Sequence, residues 1–146
     1  MKRLFLERDN IKTEEDVAEA YKAFIDSIPL WEDSFSRLLI LCGLIKSADD
    51  NYVATEMNDK MFKKKIINEY EHRIIEKMCY RISFFINDLE NQEEDISLEE
   101  TRDLIGGSYY IYNESSEIVS RKIKELDPSF EDTIEEETVG EEVAKA

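Results

Sequence analysis

The apolar positions of residues 13–28, TEEDVAEAYKAFIDSI, recur at steps of three and four and predict an amphipathic helix. Thr13 stands where an N-cap is expected, and acidic residues fill the turn that follows it. Pro29 has no N–H to continue the helix, so it predicts the helix end. The apolar stripe of this helix is Val17, Ala20, Tyr21, Phe24, Ile25 and Ile28.

A second helix is predicted from Trp31 to Lys46, and its second half is apolar on every side. A helix without a polar face is buried by its neighbours, so we expect it at the centre of the fold or in a subunit interface. Residues 46–51, KSADDN, are predicted to form a turn. The apolar residues of this half are Leu38, Leu39, Ile40, Leu41, Cys42, Leu44 and Ile45.

The third segment, from Thr55 to Leu89, keeps helical periodicity throughout. A straight helix of this length spans about 50 Å, whereas a compact body of this size is about 36 Å across. The helix therefore breaks near residues 63–65, or its overhang docks on a second subunit. Its apolar stripe is Ile67, Tyr70, Ile74, Met78, Ile82, Phe85 and Leu89.

A fourth helix is predicted to start at Ser97, which forms a capping-box pattern with Glu100. We expect a kink or a short interruption at Gly106 and Gly107, because two glycines cost about 2 kcal/mol inside a helix. The alternative is a full break, with 108–112 extended and a new helix from Asn113. The stripe of this helix is Leu98, Ile105, Tyr109, Tyr112, Val119, Ile123 and Leu126.

Four helices without a convincing strand predict an all-α fold, either a four-helix-type bundle or an orthogonal helical domain. This helical domain covers residues 1–126. Residues 127–146 hold eight acids and one lysine, so they are predicted to form a disordered acidic tail.

The chain is strongly acidic, with 19 basic and 35 acidic residues and a net charge of −16. This charge disfavours nucleic acid and anionic lipid and suits a protein partner with a basic surface. The longest apolar run, 38–45, is too short to span a bilayer, and the first ten residues lack a secretory apolar region. Cys42 and Cys79 form no paired motif and are expected to be free thiols. We therefore expect a cytoplasmic protein, of a cell or of an infected host cell.

The only histidine, His72, follows Glu69 in a pattern that resembles half of the Glu-x-x-His motif of ferritin-like di-iron carboxylate bundles. Those bundles need two such motifs facing inward, whereas Glu69, His72 and Glu76 face away from the apolar stripe here. We predict an ion-paired helix face instead. The pairs Glu56-x-x-Asp59 and Glu100-x-x-Asp103 each place two carboxylates on one helix face, and they are the basis for the alternative that this is a carboxylate-metal enzyme. No catalytic residue, metal ligand or cofactor is predicted.

Glu71 falls within the apolar stripe of the third helix, where an unpaired buried carboxylate is costly. Either it lies at a boundary, where its carboxylate reaches water or a lysine, or it forms a buried ion pair or an interface contact.

Charge is segregated along the chain, with a net charge of +4 over residues 60–81 and of −7 over residues 82–126. We predict a non-enzymatic adaptor or inhibitor, of a kind that phages and mobile elements encode, that engages a basic surface of a protein partner. The alternative is a homo-oligomeric assembly subunit, for example a homodimer, whose interface would be the second helix and the overhang of the third. If association runs through apolar surface instead of charge, the first candidates are Leu41, Leu44, Tyr109, Tyr110 and Tyr112. The candidate interaction residues are Glu93, Glu94, Asp95, Glu99, Glu100, Lys63, Lys64, Lys65 and Glu71.

Overall fold

The computed structural model describes residues 2–6, 11–90, 98–130 and 135–139. The helices are α1 (Glu14–Leu41), α2 (Ala54–Lys63), α3 (Glu69–Glu90) and α4 (Leu98–Leu126), and the strands are β1 (Lys2–Leu6) and β2 (Glu135–Val139). α4 packs against both α1 and α3, while α2 packs against α3. The predicted all-α fold with four helices is confirmed, but the chain divides between the helices differently from the prediction.

α1 continues through Pro29, so the predicted helix end at this residue is wrong. Pro29 is exposed, and the buried side chains on either side of it belong to one stripe at steps of three and four: Phe24, Ile28, Trp31 and Phe35. A proline inside a helix costs about 3 kcal/mol. Burial of Trp31 and Phe35 contributes about 2–3 kcal/mol each, so tertiary packing keeps the helix intact. The predicted N-cap is confirmed, because Thr13 forms a capping box with Asp16.

α1 ends at Leu41, several residues before the predicted end. Gly43 adopts the left-handed conformation, with φ of 75°, and the N–H of Leu44 donates to the carbonyl of Leu39 at 2.9 Å. This is the Schellman pattern that stops a helix at a glycine.

The last turn of α1 is buried on one side only. Leu38 and Leu39 are fully buried, whereas Ile40 is 38% exposed and Leu41 is 36% exposed. The alternative that this half of the helix lies at the centre of the fold is therefore wrong, and the alternative that it lies in a subunit interface stays a prediction. The neighbouring helices cover one face of α1, and the described residues leave the opposite face open.

The predicted break at residues 63–65 separates α2 from α3. Lys65 has a φ of 60°, its N–H donates to the carbonyl of Phe62, and the N–H of Ile66 donates to the carbonyl of Met61. This is a second Schellman motif, with a lysine where glycine is usual. The break leaves no long helix to overhang onto a second subunit.

The buried face of α3 differs from the predicted stripe at one turn. Tyr70 is 53% exposed, whereas Glu71 and Ile75 are buried. The helix starts at Glu69, so Ile67 lies before it, and the stripe follows Glu71, Ile74, Ile75 and Met78. The side chain of Leu89 lies outside the described residues.

α4 runs as one helix through Gly106 and Gly107, so the alternative of a full break is wrong, and so is a short interruption, whereas a kink in a continuous helix stays a prediction. The turns on both sides of the glycines are fixed by buried residues, among them Ile105, Tyr109 and Tyr112. Packing of these side chains offsets the cost of the glycines. The predicted N-cap, Ser97, lies outside the described residues, and α4 begins at the next residue.

The core between α1, α3 and α4 is aromatic. The ring of Phe24 lies 4.8 Å from that of Phe85, and its edge faces the ring of Tyr112. The indole N–H of Trp31 donates to the hydroxyl of Ser115 at 2.9 Å. These contacts bind α1 to α3 and α4 and fix the register between α1 and α4.

A small parallel sheet joins the two ends of the chain, which the sequence analysis did not predict. Lys2 is paired with Glu135 and Leu6 with Val139. On α4, Asn113 accepts the N–H of Leu4 and donates to its carbonyl, so its amide substitutes for a neighbouring strand. Part of the predicted tail therefore pairs with β1, and residues 131–134 and 140–146 lie outside the described residues.

Glu71 is 3% exposed and forms a buried ion pair, the second of the two alternatives left open by its sequence. One oxygen accepts the N–H of Asn68 at 2.8 Å, and Asn68 accepts the N–H of Glu71 in return, which completes a capping box at the start of α3. The other oxygen accepts from Arg121 at 2.8 Å, and the Nζ of Lys122 lies 3.7 Å from the oxygen that accepts from Asn68. One carboxylate thus joins the start of α3 to the last turns of α4.

Replacing Glu71 by alanine is expected to destabilise the protein by about 2–4 kcal/mol, because the capping box is lost and Lys122, which is 16% exposed, loses a countercharge. Urea unfolding measures the effect. The matched control is Glu69→Ala, which removes an exposed pair with Arg73 on the same helix and should cost less than about 0.5 kcal/mol. Equal losses in the two variants would show that the buried carboxylate has no special role.

Replacing Gly107 by alanine is expected to stabilise the protein by about 0.5–1 kcal/mol, because alanine favours a helix interior. The added methyl would meet only the guanidinium of Arg81, at 3.8 Å. Gly43→Ala is the control and is expected to destabilise the protein, because the backbone at Gly43, with a φ of 75°, is strained by any side chain. Thermal unfolding should show a higher midpoint for the first variant and a lower midpoint for the second.

Candidate functional site

A cleft with an acidic rim opens between α1, the loop of residues 48–53, the start of α2 and the middle of α3. Its volume is about 650 Å³. Glu32, Asp33 and Asp50 line it, and the described residues around it include no lysine, arginine or histidine. We call this site the acidic cleft.

Aromatic side chains line the acidic cleft below its rim. Trp31 and Phe35 are each 1% exposed, and their rings stack 5.0 Å apart. Tyr52 is half-buried and shares a hydrogen bond of 2.6 Å with the hydroxyl of Ser36. Tyr80 is 61% exposed and borders the cleft from α3. Trp31 and Phe35 form the buried wall behind the cleft, whereas Tyr52 and Tyr80 offer apolar surface to the stem of a lysine or arginine and a π face to its charged head.

The rim carboxylates have different environments. Burial, and then the neighbouring charge of Asp33, raise the pKa of Glu32. Asp50 accepts the N–H groups of Lys46 and Ser47, and these hydrogen bonds lower its pKa. Because the charge of Asp33 disfavours the ionised form of Glu32, a cation placed beside Glu32 is favoured.

Cys79 is the thiol that lines the acidic cleft. Burial raises its pKa to about 12, so the thiol stays protonated at neutral pH. A protonated thiol is a poor nucleophile, and the arrangement around it favours binding over covalent chemistry.

The amino end of α2 adds hydrogen-bond donors to the acidic cleft. Val53, at its N-cap, provides no side-chain hydrogen bond, and Ala54 and Thr55 of the first turn line the cleft. The N–H groups of a first turn have no partner within the helix and can donate to a carbonyl oxygen. The cleft therefore offers carboxylates to a basic side chain and N–H donors to a peptide backbone.

The interaction residues predicted from sequence do not line the acidic cleft. Lys63, Lys64 and Lys65 are exposed at the turn between α2 and α3, whereas Glu71 is buried and unavailable to a partner. Glu99 and Glu100 belong to the first turn of α4, but their side chains lie outside the described residues. Glu93, Glu94 and Asp95 lie outside them altogether.

His72 forms its hydrogen bond with a residue of α2, not with Glu69 or Glu76 of its own helix. Its Nε2 lies 2.7 Å from the carboxylate of Asp59, and its ring stacks on Phe62 at 4.7 Å. The predicted solvated face is wrong at this position, because the side chain of His72 is only 18% exposed. The prediction holds for Glu69, which pairs with Arg73 one turn later at 3.0 Å.

Sequence reasoning missed Glu32, Asp33 and Asp50. A usable signal was present in LWEDSF, where two adjacent acids lie between large aromatic residues on one helix. Acids in that position lie at the edge of a buried stripe, where a cleft can bring them next to apolar surface. Asp50 gave no such signal, because it belongs to a turn whose position depends on tertiary contacts.

Within the described ranges, no group of three or more histidine, cysteine, aspartate or glutamate side chains is placed to hold a metal ion. Of the carboxylate pairs of the metal-enzyme alternative, Asp59 forms a hydrogen bond with His72, and the side chain of Glu100 lies outside the described residues. No helix in the described part of the chain combines the length and the apolar character needed to cross a membrane.

Comparison of the chain with protein-family models, with curated proteins and with solved structures finds no match.

Proposed function

We propose that this protein is a non-enzymatic adaptor or inhibitor of the cytoplasm that binds a basic peptide segment of a protein partner in the acidic cleft. The observation that carries the proposal is the cleft itself, which combines three carboxylates, an aromatic lining and no basic side chain among the residues described there. Three independent features favour a basic peptide over other ligands.

The first feature is shape and polarity. A cleft of about 650 Å³ has room for one or two side chains. The stem of a lysine or arginine would lie along Tyr52 and Tyr80, the lining rings that are accessible, and its head would reach Glu32 and Asp33 at the rim. A carboxylate that receives a guanidinium in two parallel hydrogen bonds gives both affinity and orientation.

The second feature is the free amino end of α2, which suits a peptide carbonyl better than it suits a metal ion or a simple amine. The third is the net charge of −16, which attracts a basic partner at long range and raises the rate of encounter. Together these features support recognition of a basic residue within a polypeptide.

The homo-oligomeric assembly subunit remains the second candidate, favoured by the exposed apolar residues at the end of α1, Ile40 and Leu41. Of the three tyrosines proposed from the sequence for such an interface, Tyr109 and Tyr112 are buried in the core and cannot contact a second subunit. Tyr110 is exposed. Light scattering on the purified protein distinguishes a monomer from such an oligomer.

Charge reversal at the rim, Glu32→Lys with Asp33→Lys, is expected to weaken binding of a labelled arginine-rich peptide at least about tenfold, because attraction becomes repulsion. The control pair, Glu19→Lys with Asp26→Lys, changes the net charge equally on exposed positions of the same helix outside the cleft. Fluorescence anisotropy measures both. Equal weakening by the two pairs would mean that net charge alone attracts the peptide, and the site proposal would fail.

Binding of the same peptide is expected to weaken on acidification, beginning above the pH at which an ordinary glutamate titrates. The pKa of Glu32 is raised by burial, so its charge is lost first as the pH falls, and the neutral carboxyl no longer attracts a cation. Anisotropy titrations across pH, with Glu32→Gln as the comparison, test this. The variant should bind more weakly at neutral pH and lose the early part of the pH dependence, and identical profiles would contradict the role of Glu32.

A further inference from the structure

A second groove lies between α3 and α4, and its chemistry is opposite to that of the acidic cleft. Its volume is about 570 Å³. Lys77, Arg81 and Phe84 of α3 and Tyr110 of α4 line it, with Tyr80 at its edge. We call it the aromatic–cationic groove.

Three aromatic rings of the aromatic–cationic groove face solvent. Tyr80 is 61% exposed, Tyr110 is 57% exposed and Phe84 is 43% exposed. The side chain of Phe84 has no polar atom that could form a hydrogen bond with water, and its edge-on contact with Phe85 covers only part of the ring. Adjacent exposed rings of this kind mark a surface that binds another molecule.

The two cations of this groove, Lys77 and Arg81, form no salt bridge to a carboxylate that the structure describes. Other arginines of the chain do pair, for example Arg73 with Glu69 and Arg121 with Glu71. Several exposed lysines of the chain also form no salt bridge to a described residue, so the distinguishing feature of this surface is that its two cations stand beside exposed aromatic rings.

Gly107 lines the aromatic–cationic groove next to Arg81. The guanidinium of Arg81 lies 3.8 Å from the point that a Cβ would occupy at this glycine, so the arginine lies against α4. A guanidinium that forms no salt bridge can receive a carboxylate in two parallel hydrogen bonds.

We propose that the aromatic–cationic groove binds an acidic peptide segment that carries an aromatic or large aliphatic side chain. Its carboxylates would pair with Lys77 and Arg81, and its apolar side chain would lie against Phe84 and Tyr110. A single-stranded nucleic acid also pairs with cations and stacks on rings. It adds one negative charge per nucleotide, however, and a body of net charge −16 repels a long polyanion more than it repels a short peptide.

The groove and the acidic cleft use the same helix. Cys79 and Ser83 of α3 line the cleft, Lys77 and Arg81 line the groove, and Tyr80 borders both. The proposal does not depend on the function of the cleft. If both sites bind, the protein is an adaptor that holds a basic and an acidic segment on two faces of one helix.

The test uses the full chain and a short fluorescein-labelled peptide in which glutamate alternates with phenylalanine. Anisotropy should show binding to the native protein and a loss of at least about tenfold in Lys77→Gln with Arg81→Gln, because two charged contacts are removed. The control is Lys60→Gln with Lys63→Gln, which removes the same charge from exposed positions of α2 outside the groove. Phe84→Ala should also weaken binding, and all variants should keep the native unfolding midpoint.

Three further measurements complete the test. They are the binding of a peptide of glutamate and serine, the binding of an oligothymidylate, and the self-association of the native protein alone. Strong binding of the oligothymidylate, abolished by the same double substitution, would overturn the proposal in favour of nucleic acid. Self-association that disappears in the double variant would assign the groove to a second copy of this chain. Equal binding of the phenylalanine-containing and serine-containing peptides would show that the aromatic rings take no part in binding. An equal loss of peptide affinity in the control pair would show that net charge alone causes the effect. The rim reversal Glu32→Lys with Asp33→Lys should leave this binding intact, which separates the test from that of the acidic cleft.

Discussion

The buried carboxylate of Glu71 is the contact on which the placement of α3 depends. It accepts the N–H of Asn68, which begins the helix, and it receives Arg121 and Lys122 from the end of α4. A carboxylate that is 3% exposed is costly unless several donors surround it. Sliding or rotating α3 along α4 would separate these donors from the carboxylate, so one arrangement of the two helices is favoured over its neighbours.

Further contacts extend this constraint from α3 to the other helices. The amide of Asn58 on α2 donates to the carbonyl of His72, directly after Glu71. At the other side of the core, Phe85 of α3 lies against Phe24 and Tyr21 of α1. Polar contacts at the start of α3 and aromatic contacts in its second half therefore fix both its position and its rotation about its own axis.

That rotation decides which residues reach the two candidate sites. With α3 held in this way, Cys79 and Ser83 face the acidic cleft, while Lys77, Arg81 and Phe84 face the aromatic–cationic groove. A rotation of one residue, about 100°, would turn these side chains away from the sites that they line. The packing of α3 therefore keeps its two cations out of the acidic cleft, whose carboxylates come from α1 and the loop of residues 48–53.

The sequence by itself determined the helical class, the capping of α1 at Thr13, the break between α2 and α3 and most of the buried positions. Each of these features depends on residues within one or two helical turns along the chain, so local periodicity and capping residues are enough to predict it. Only the tertiary structure decided that α1 passes through Pro29, that β1 pairs with β2, that Glu71 is buried with its donors and that Glu32, Asp33 and Asp50 line one cleft. These features join residues far apart in the chain, and their free energy comes from packing and pairing partners that no local pattern identifies.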